Sequence, residues 1–204
     1  MVSDDLDTTL HQYGLRQMGD CPDGAGRITL VGPDEPRFWP IFCDSAEYKD
    51  GDDDPLDRWS HRVVSKVAMQ MNAEPLFPFG GPPYAPFYTW AVQSGRFWPS
   101  PIGFLVHDEA GLFASFRGAL RWNGDAQLGT SEQPCLTCTG QPCATACPVG
   151  AFNDGYDVAT CKAHVASAAG DDCRRAGCLA RRACPVGQGN RLPAQAAFHM
   201  EAFL

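Results

Sequence analysis

The chain has 204 residues, enough for one large domain or two small ones, and 44% of them are hydrophobic against 20% charged, as in a globular protein. A net charge of −8 argues against general binding to nucleic acid or anionic membranes, because phosphate contacts need a basic surface. No apolar run approaches the ~20 residues that cross a bilayer, and the acidic N-terminus predicts no secretion signal, so we expect a cytoplasmic protein.

The first quarter of the chain predicts a helix, a strand and a second helix. Apolar side chains with helical spacing are Leu6, Leu10, Tyr13 and Leu15. Residues 27–32 are typical of a strand ended by glycine, and residues 33–39 of a helix start with proline in its first turn. Residues 50–57 are acidic and predict a solvated loop, since their spacing lacks the distal glutamate of a calcium-binding loop.

The next elements lead up to the cysteines. Residues 57–72 give the clearest helix prediction, with the apolar face Trp59, Val63, Val64, Val67, Ala68 and Met71. The proline-rich segment 74–86 is typical of a lid over a ligand or of an ordered wrap across another surface, and residues 87–93 predict a short helix. Residues 102–107 and 112–120 predict two strands joined in a hairpin.

The cysteines divide the chain into two parts. Eight of the ten follow residue 134, and Cys21 and Cys43 precede it. Charge changes at the same place: residues 1–134 carry 10 Lys and Arg against 19 Asp and Glu, whereas residues 135–204 carry 6 against 5. We therefore predict an α+β protein, in which an α/β sheet domain with helical cover (residues 1–130) precedes a small cysteine-rich module (residues 131–204).

Two similar strings of four cysteines fill the tail. The first is Cys135-Leu-Thr-Cys138-Thr-Gly-Gln-Pro-Cys143-Ala-Thr-Ala-Cys147, and the second places Cys161 before Cys173-Arg-Arg-Ala-Gly-Cys178-Leu-Ala-Arg-Arg-Ala-Cys184. Both have a four-residue gap before the third cysteine and end in Cys-Pro-Val-Gly. Disulfides are rare in a reducing cytosol, so eight clustered cysteines are typical of thiolate ligands to metal.

This pattern resembles that of two-cluster bacterial ferredoxins, whose usual run is C-x2-C-x2-C-x3-C-P. The resemblance implies one [4Fe-4S] cluster on Cys135, Cys138, Cys143 and the remote Cys184, and another on Cys161, Cys173, Cys178 and the remote Cys147. All eight tail cysteines are then used. The second string departs further from the family pattern, because eleven residues separate its first two cysteines and five separate its last two.

Other interpretations of these residues stay open. Four thiolates also bind zinc, although zinc does not explain two Cys-Pro-Val-Gly endings, and the thiols could be inert. Phe152 is expected to pack beside a cluster. The tail also carries four clustered arginines, Arg174, Arg175, Arg181 and Arg182. We expect them to form a solvated helix face, or else to offset the negative charge of a cluster or to bind an acidic partner. Cys21 and Cys43 are expected to be ordinary small apolar residues.

The cysteine order also resembles the iron–sulfur tail of epoxyqueuosine reductases and reductive dehalogenases, in which a cobalamin-binding domain precedes a ferredoxin-like module. The string from His107 to Gly118 is similar to the strand pair of cobalamin-processing proteins of the methylmalonic aciduria C type. These resemblances imply a flavin-reductase-like or cobalamin-reductase-like first domain that binds cobalamin or a flavin. No position matches the catalytic acid of the queuosine enzymes, and His107 is expected to be a hairpin residue instead of a cobalt ligand.

Functions of different classes follow from these patterns. In the first, an electron-transfer iron–sulfur protein relays single electrons between redox partner proteins through two [4Fe-4S] clusters, with no nucleic acid or membrane involved. In the second, the protein is an oxidoreductase whose clusters feed cobalamin or a flavin beneath the loop 74–86 and the hairpin 102–120. In a third, the clusters are structural staples for a module too small to bury enough surface.

Overall fold

The computed structural model describes residues 2–204, with side chains described from Asp5 onward. Helices and antiparallel strands are mixed along the chain, so the predicted α+β class is confirmed. The strands, in chain order, are β1 (Leu15–Asp23), β2 (Gly26–Pro33), β3 (Glu74–Leu76), β4 (Phe97–Pro99), β5 (Leu105–His107) and β6 (Gly118–Asn123). The helices are α1 (Val2–His11), α2 (Phe38–Cys43), α3 (Ala46–Lys49), α4 (Pro55–Met71), α5 (Phe87–Gln93), α6 (Val158–Ala166), α7 (Asp171–Ala176), α8 (Leu179–Arg182) and α9 (Pro193–Phe203).

Two compact units make up the chain, and neither is continuous in sequence. The first unit contains the residues up to Arg96 together with Ser115–Ser131. The second unit contains Phe97–Ala114 and Glu132–Leu204. The sequence predicts a single boundary at residue 130. In the structure, residues 97–114 instead group with the cysteine-rich tail. Within the described residues, none of the helices has the length and apolar character required to cross a membrane.

A four-stranded antiparallel sheet lies at the centre of the first unit, in the order β1-β2-β6-β3. Strands β1 and β2 form a hairpin in which Leu15 pairs with Pro33. Along β2, residues 28–31 are all fully buried, so both faces of this central strand are covered.

Helix α4 buries the face that the sequence predicts. The buried side chains on that face are Trp59, Val63, Val64, Val67 and Ala68. The Trp59 ring lies edge-on to Phe38, with centroids 5.4 Å apart. Pro55 occupies the first turn, where its missing N–H is not needed, and Asn72 ends the helix at a φ of 53° while its N–H donates to the Ala68 carbonyl. The short helix predicted over 87–93 is also confirmed.

Two predicted elements near the N-terminus differ from the structure. The first helix is predicted to reach Leu15, but α1 ends at His11 and Leu15 begins β1. The reason is Gly14, which has a φ of 64° and lies so close to Phe38 that an added Cβ would be 2.6 Å from the Phe38 Cα. The second helix is predicted to start within residues 33–39 and begins at Phe38.

The predicted hairpin of residues 102–107 and 112–120 is wrong. Strand β5 pairs with β4, whereas β6 pairs with β2 and β3. The β4–β5 connection is a turn in which the Gly103 N–H donates to the Ser100 carbonyl at 2.9 Å, with Pro101 in the second position. Only the tight turn from His107 to Gly111 forms as expected, with both backbone hydrogen bonds at 3.0 Å. Alternation of apolar residues predicts strands without specifying their partners.

Helices and 3₁₀ turns are the main regular elements of the second unit. The 3₁₀ turns span Pro134–Leu136, Pro142–Ala144 and Ala168–Gly170. One buried hydrophobic cluster of this unit consists of Ile102, Val106, Leu112, Cys143, Ala180 and Cys184. Half of these residues come from the segment 97–114, so that segment supplies apolar surface that the tail itself lacks.

Candidate metal centres

A first group of four cysteines lines an open cavity of about 330 Å³ in the second unit. The first cysteine group is Cys135, Cys138, Cys143 and Cys184. Cys135 and Cys143 each follow a proline that begins a 3₁₀ turn, and the ring of that proline holds its own φ near the helical value. Cys184 follows α8, and its N–H donates to the Arg181 carbonyl at 3.3 Å.

A second group of four lines another cavity, of about 310 Å³. The second cysteine group is Cys147, Cys161, Cys173 and Cys178. Cys161 lies in α6 and Cys173 in α7, and Cys178 directly precedes α8. Gly177 separates the last two with a φ of 86°, and its N–H donates to the Cys173 carbonyl at 2.9 Å. A glycine here lets the chain reverse sharply, so that both thiols reach one cavity.

The cysteines that share a cavity are those that the ferredoxin resemblance groups together. Cys147 ends the first string but lines the cavity of the second group, and Cys184 ends the second string but lines the cavity of the first. Each is followed by proline, which has no N–H and cannot extend a preceding helix.

Apolar side chains complete both cavities. Val106 and Leu112 line the first, and Phe152, Val165 and Met200 line the second. Phe152 is thus beside the second cysteine group, where the sequence places it. The contributions of residues 97–114 and of α9 are absent from the sequence prediction, because neither segment carries a cysteine or a metal-binding motif.

Burial disfavours the ionised form of several of these thiols and so raises their pKa. Burial raises the pKa of Cys135 and Cys143, and the neighbouring thiols of the same group raise it further. Burial also raises the pKa of Cys173 and Cys178. Four thiolates in one cavity would repel one another, so a positively charged group between them is needed to hold all four ionised.

Backbone N–H groups point at sulfurs of the second group. The Ala151 N–H donates to Cys147 Sγ at 3.4 Å. Backbone N–H groups also oppose the rise in thiol pKa, that of Leu179 at Cys173 and those of Arg181 and Ala180 at Cys178. N–H donors of this kind stabilise negative charge on sulfur and so suit thiolate ligands.

A single zinc ion would limit how far apart its four sulfur ligands can lie. A zinc ion about 2.3 Å from four sulfurs would bring those sulfurs within about 3.8 Å of one another. Among the described residues, no three His, Cys, Asp or Glu side chains are arranged to hold a single metal ion. Each cysteine group lines a cavity.

The four arginines of the tail differ in their surroundings. Arg175 is 78% exposed and paired with Asp171, as expected of a solvated helix face. Arg181 instead donates from Nε to the Leu112 carbonyl at 2.6 Å, and its guanidinium lies over the Phe113 ring. Arg174 and Arg182 donate to backbone carbonyls as well as to carboxylates. Arg174, Arg181 and Arg182 thus make specific hydrogen bonds within the protein and do not only form a solvated helix face.

The remaining candidate residues lie apart from both groups. His107 is fully buried, and its Nδ1 accepts hydrogen bonds from the N–H groups of Glu109 and Ala110 at 3.1 and 3.0 Å. These bonds hold His107 in the turn from His107 to Gly111, whereas the predicted hairpin of which it was expected to be part does not form. Cys21 and Cys43 belong to the first unit and line neither cavity.

Comparison with known proteins identifies no relative. No family model matches the chain, and neither a curated protein nor a solved structure matches it. A function therefore has to be inferred from the residues themselves.

Proposed function

We propose that the second unit holds two [4Fe-4S] clusters, one for each cysteine group, and relays single electrons between partner proteins. The observation that carries this proposal is the sorting of eight cysteines into two cavities of four, with Cys147 and Cys184 exchanged between the strings. When bound, such clusters take up and release one electron at a time.

The chain's own residues would perform three tasks in this role. The eight sulfurs would bind iron as thiolates, which requires the loss of their protons. Burial raises the pKa of four of these thiols, Cys135, Cys143, Cys173 and Cys178. Backbone N–H groups stabilise the charge on the sulfurs of the second group. Apolar walls such as Leu112 and Phe152 keep water away, which influences the reduction potential.

The two groups adjoin one apolar core, which supports electron transfer between them. Cys143 and Cys184 of the first group belong to the same buried cluster as Ala180. Cys147 and Cys178 of the second group pack against that cluster. Ala180 is fully buried and lines the second cavity, so packed protein connects the two sites.

A metal and sulfide analysis of the full chain tests the proposal. Protein purified without oxygen is expected to be brown, to contain about eight iron and eight sulfide per chain, and to bleach on reduction with dithionite. Cys138→Ala should lose about four iron, the content of one cluster. Cys43→Ser is the matched control and should keep all of them, since Cys43 lies outside both groups. A colourless protein that carries zinc would contradict the proposal.

The alternative, a cobalamin- or flavin-dependent reductase, depends on the first unit and stays a hypothesis. Its proposed cofactor cover combines the loop 74–86 with a hairpin of residues 102–120, and that hairpin does not form. Residues 74–86 belong to the first unit and residues 102–114 to the second. Calorimetric titration of the full chain with cobalamin and with FMN separates the two functions, because only the reductase requires one of them to bind.

A further inference from the structure

Ser100 brings a hydroxyl-bearing side chain to the wall of the first cavity. It directly follows β4, and it lines this cavity together with the neighbouring Pro101. The Ser100 N–H donates to the Phe104 carbonyl at 2.9 Å, and the Ser100 carbonyl accepts from the Gly103 N–H at 2.9 Å. Both backbone groups of Ser100 are therefore satisfied within the β4–β5 turn, which holds the residue beside the first cysteine group.

The hydroxyl of Ser100 is buried and lacks a partner within the protein. The residue is 8% exposed, and its Oγ is closed off from solvent. Throughout residues 2–204, no atom that the structure describes forms a hydrogen bond with this oxygen. A buried hydroxyl that stays unsatisfied is unfavourable, so its place in the wall points to a partner that occupies the cavity.

The other side chains of this wall limit what that partner can be. Gln141 also lines the cavity, and its Nε2 donates to the Cys135 carbonyl at 3.5 Å. Apart from Ser100, Gln141 and the four cysteines, the described residues that line the cavity are prolines, valines and a leucine. The cysteine sulfurs are thus the side-chain atoms there that can take up negative charge, and a thiolate is a far better acceptor than a neutral thiol.

The second cavity is built differently. The described residues that line it include no serine, threonine or tyrosine. Its cysteine Cys147 accepts a hydrogen bond from the backbone N–H of Ala151 at 3.4 Å. A side-chain hydroxyl in the wall therefore distinguishes the first site from the second.

Given the proposed clusters, we propose that Ser100 is a hydrogen-bonding residue of the first site, whose hydroxyl donates to a sulfur of the bound cluster or of its thiolate ligands. Reduction adds one electron and no proton to the site, so negative charge on the sulfurs grows and the hydrogen bond strengthens. Ser100 thereby raises the reduction potential of the first site, although the segment 97–114 supplies no ligand. This inference rests on the proposed function.

Reduction potentials of serine variants test the inference. In a Cys161→Ala background, the cluster that remains belongs to the first group, so its potential is measured alone. Redox titration followed by electron paramagnetic resonance should show that Ser100→Ala lowers the reduced-to-oxidised ratio at a fixed solution potential by up to about tenfold, which is 59 mV for one electron. Ser100→Thr keeps the hydroxyl and should restore most of that ratio.

A spectroscopic measurement detects the hydrogen bond itself. After exchange of the same protein into D₂O, electron–nuclear double resonance of the reduced first site should show deuterons that are coupled to the cluster. Ser100→Ala should remove one of these couplings and leave the others, because backbone N–H donors are unchanged. A residue that only shapes the turn would not remove a coupling.

Two controls make the result specific. Ser115 also has a buried Oγ that no described atom partners, but it belongs to the first unit and lines neither cavity. Ser115→Ala should therefore leave the potentials of both sites unchanged. In a Cys138→Ala background, where the cluster of the second group remains, Ser100→Ala should also change nothing. If ligand removal unfolds the protein, Ser100→Ala in the intact chain should lower one of the two potentials alone.

The opposite results would overturn the inference. These are an unchanged potential of the first site in Ser100→Ala, equal shifts at both sites, or a full set of deuteron couplings in that variant. Failure of the proposed function is a separate outcome, because it shows as missing iron and sulfide before any potential is measured.

Discussion

Gly111 allows a test of how closely the first cysteine group depends on the segment 97–114. Its φ is 60°, and an added Cβ would lie 2.0 Å from the carbonyl oxygen of Val186 and 3.3 Å from the Cys184 sulfur. Gly111→Ala should therefore push the Cys184–Val186 segment away from the cavity. The left-handed backbone costs about 1–2 kcal/mol and overpacking about 1–3 kcal/mol, so we expect a loss of roughly 2–5 kcal/mol in unfolding free energy.

Gly103→Ala is the matched control. Gly103 lies in the same unit with a φ of 80°, but an added Cβ would meet nothing within 4 Å. It should cost only the backbone term of about 1–2 kcal/mol and keep about eight iron per chain. Gly111→Ala should keep about four, because Cys184 is a ligand of the first group alone. Equal iron contents and equal urea unfolding curves for the two variants would refute this reasoning.

Three further predictions concern other parts of the chain. Cys147→Ala combined with Cys161→Ala should keep about four iron, whereas Cys147→Ala combined with Cys138→Ala should keep almost none, because only the first pair shares a group. Trp59→Ala should lower the unfolding free energy in urea by about 3–5 kcal/mol, since its ring is 2% exposed, and a loss under 1 kcal/mol would contradict its place in the core. Burial raises the pKa of Cys21 to about 11 from an ordinary 9.0, so between these pH values the folded protein keeps a proton that the unfolded chain loses. The unfolding free energy should therefore fall from pH 9 to 11. Urea titrations of Cys21→Ala should show a smaller fall over the same range.

The cysteine groups were predicted through the resemblance to two-cluster ferredoxins, which assigns the last cysteine of each string to the other string. Glycines such as Gly177 permit the sharp reversals of the chain between cysteines. Helix α4 was predictable from its own residues, since one face of a long amphipathic helix specifies what is buried.

The strand partners were not predictable in the same way. Residues 112–120 predict a strand, yet β6 begins only at Gly118, and its pairing with β2 depends on residues about ninety positions away. The turn at Ser100–Gly103, with Pro101 in its second position, is the local signal that identifies the β4–β5 hairpin instead.

The divided second unit has a consequence for the order of events during synthesis. Leu112 is made about 70 residues before Cys184, which at 5–20 residues per second is roughly 4–14 s on the ribosome. During that interval, the apolar side chains of the segment 97–114 lack the tail residues that pack against them in the folded protein. The first cavity can close only after Cys184 has left the ribosome, so under the proposed function its loading with a cluster would be a late event in the maturation of the protein.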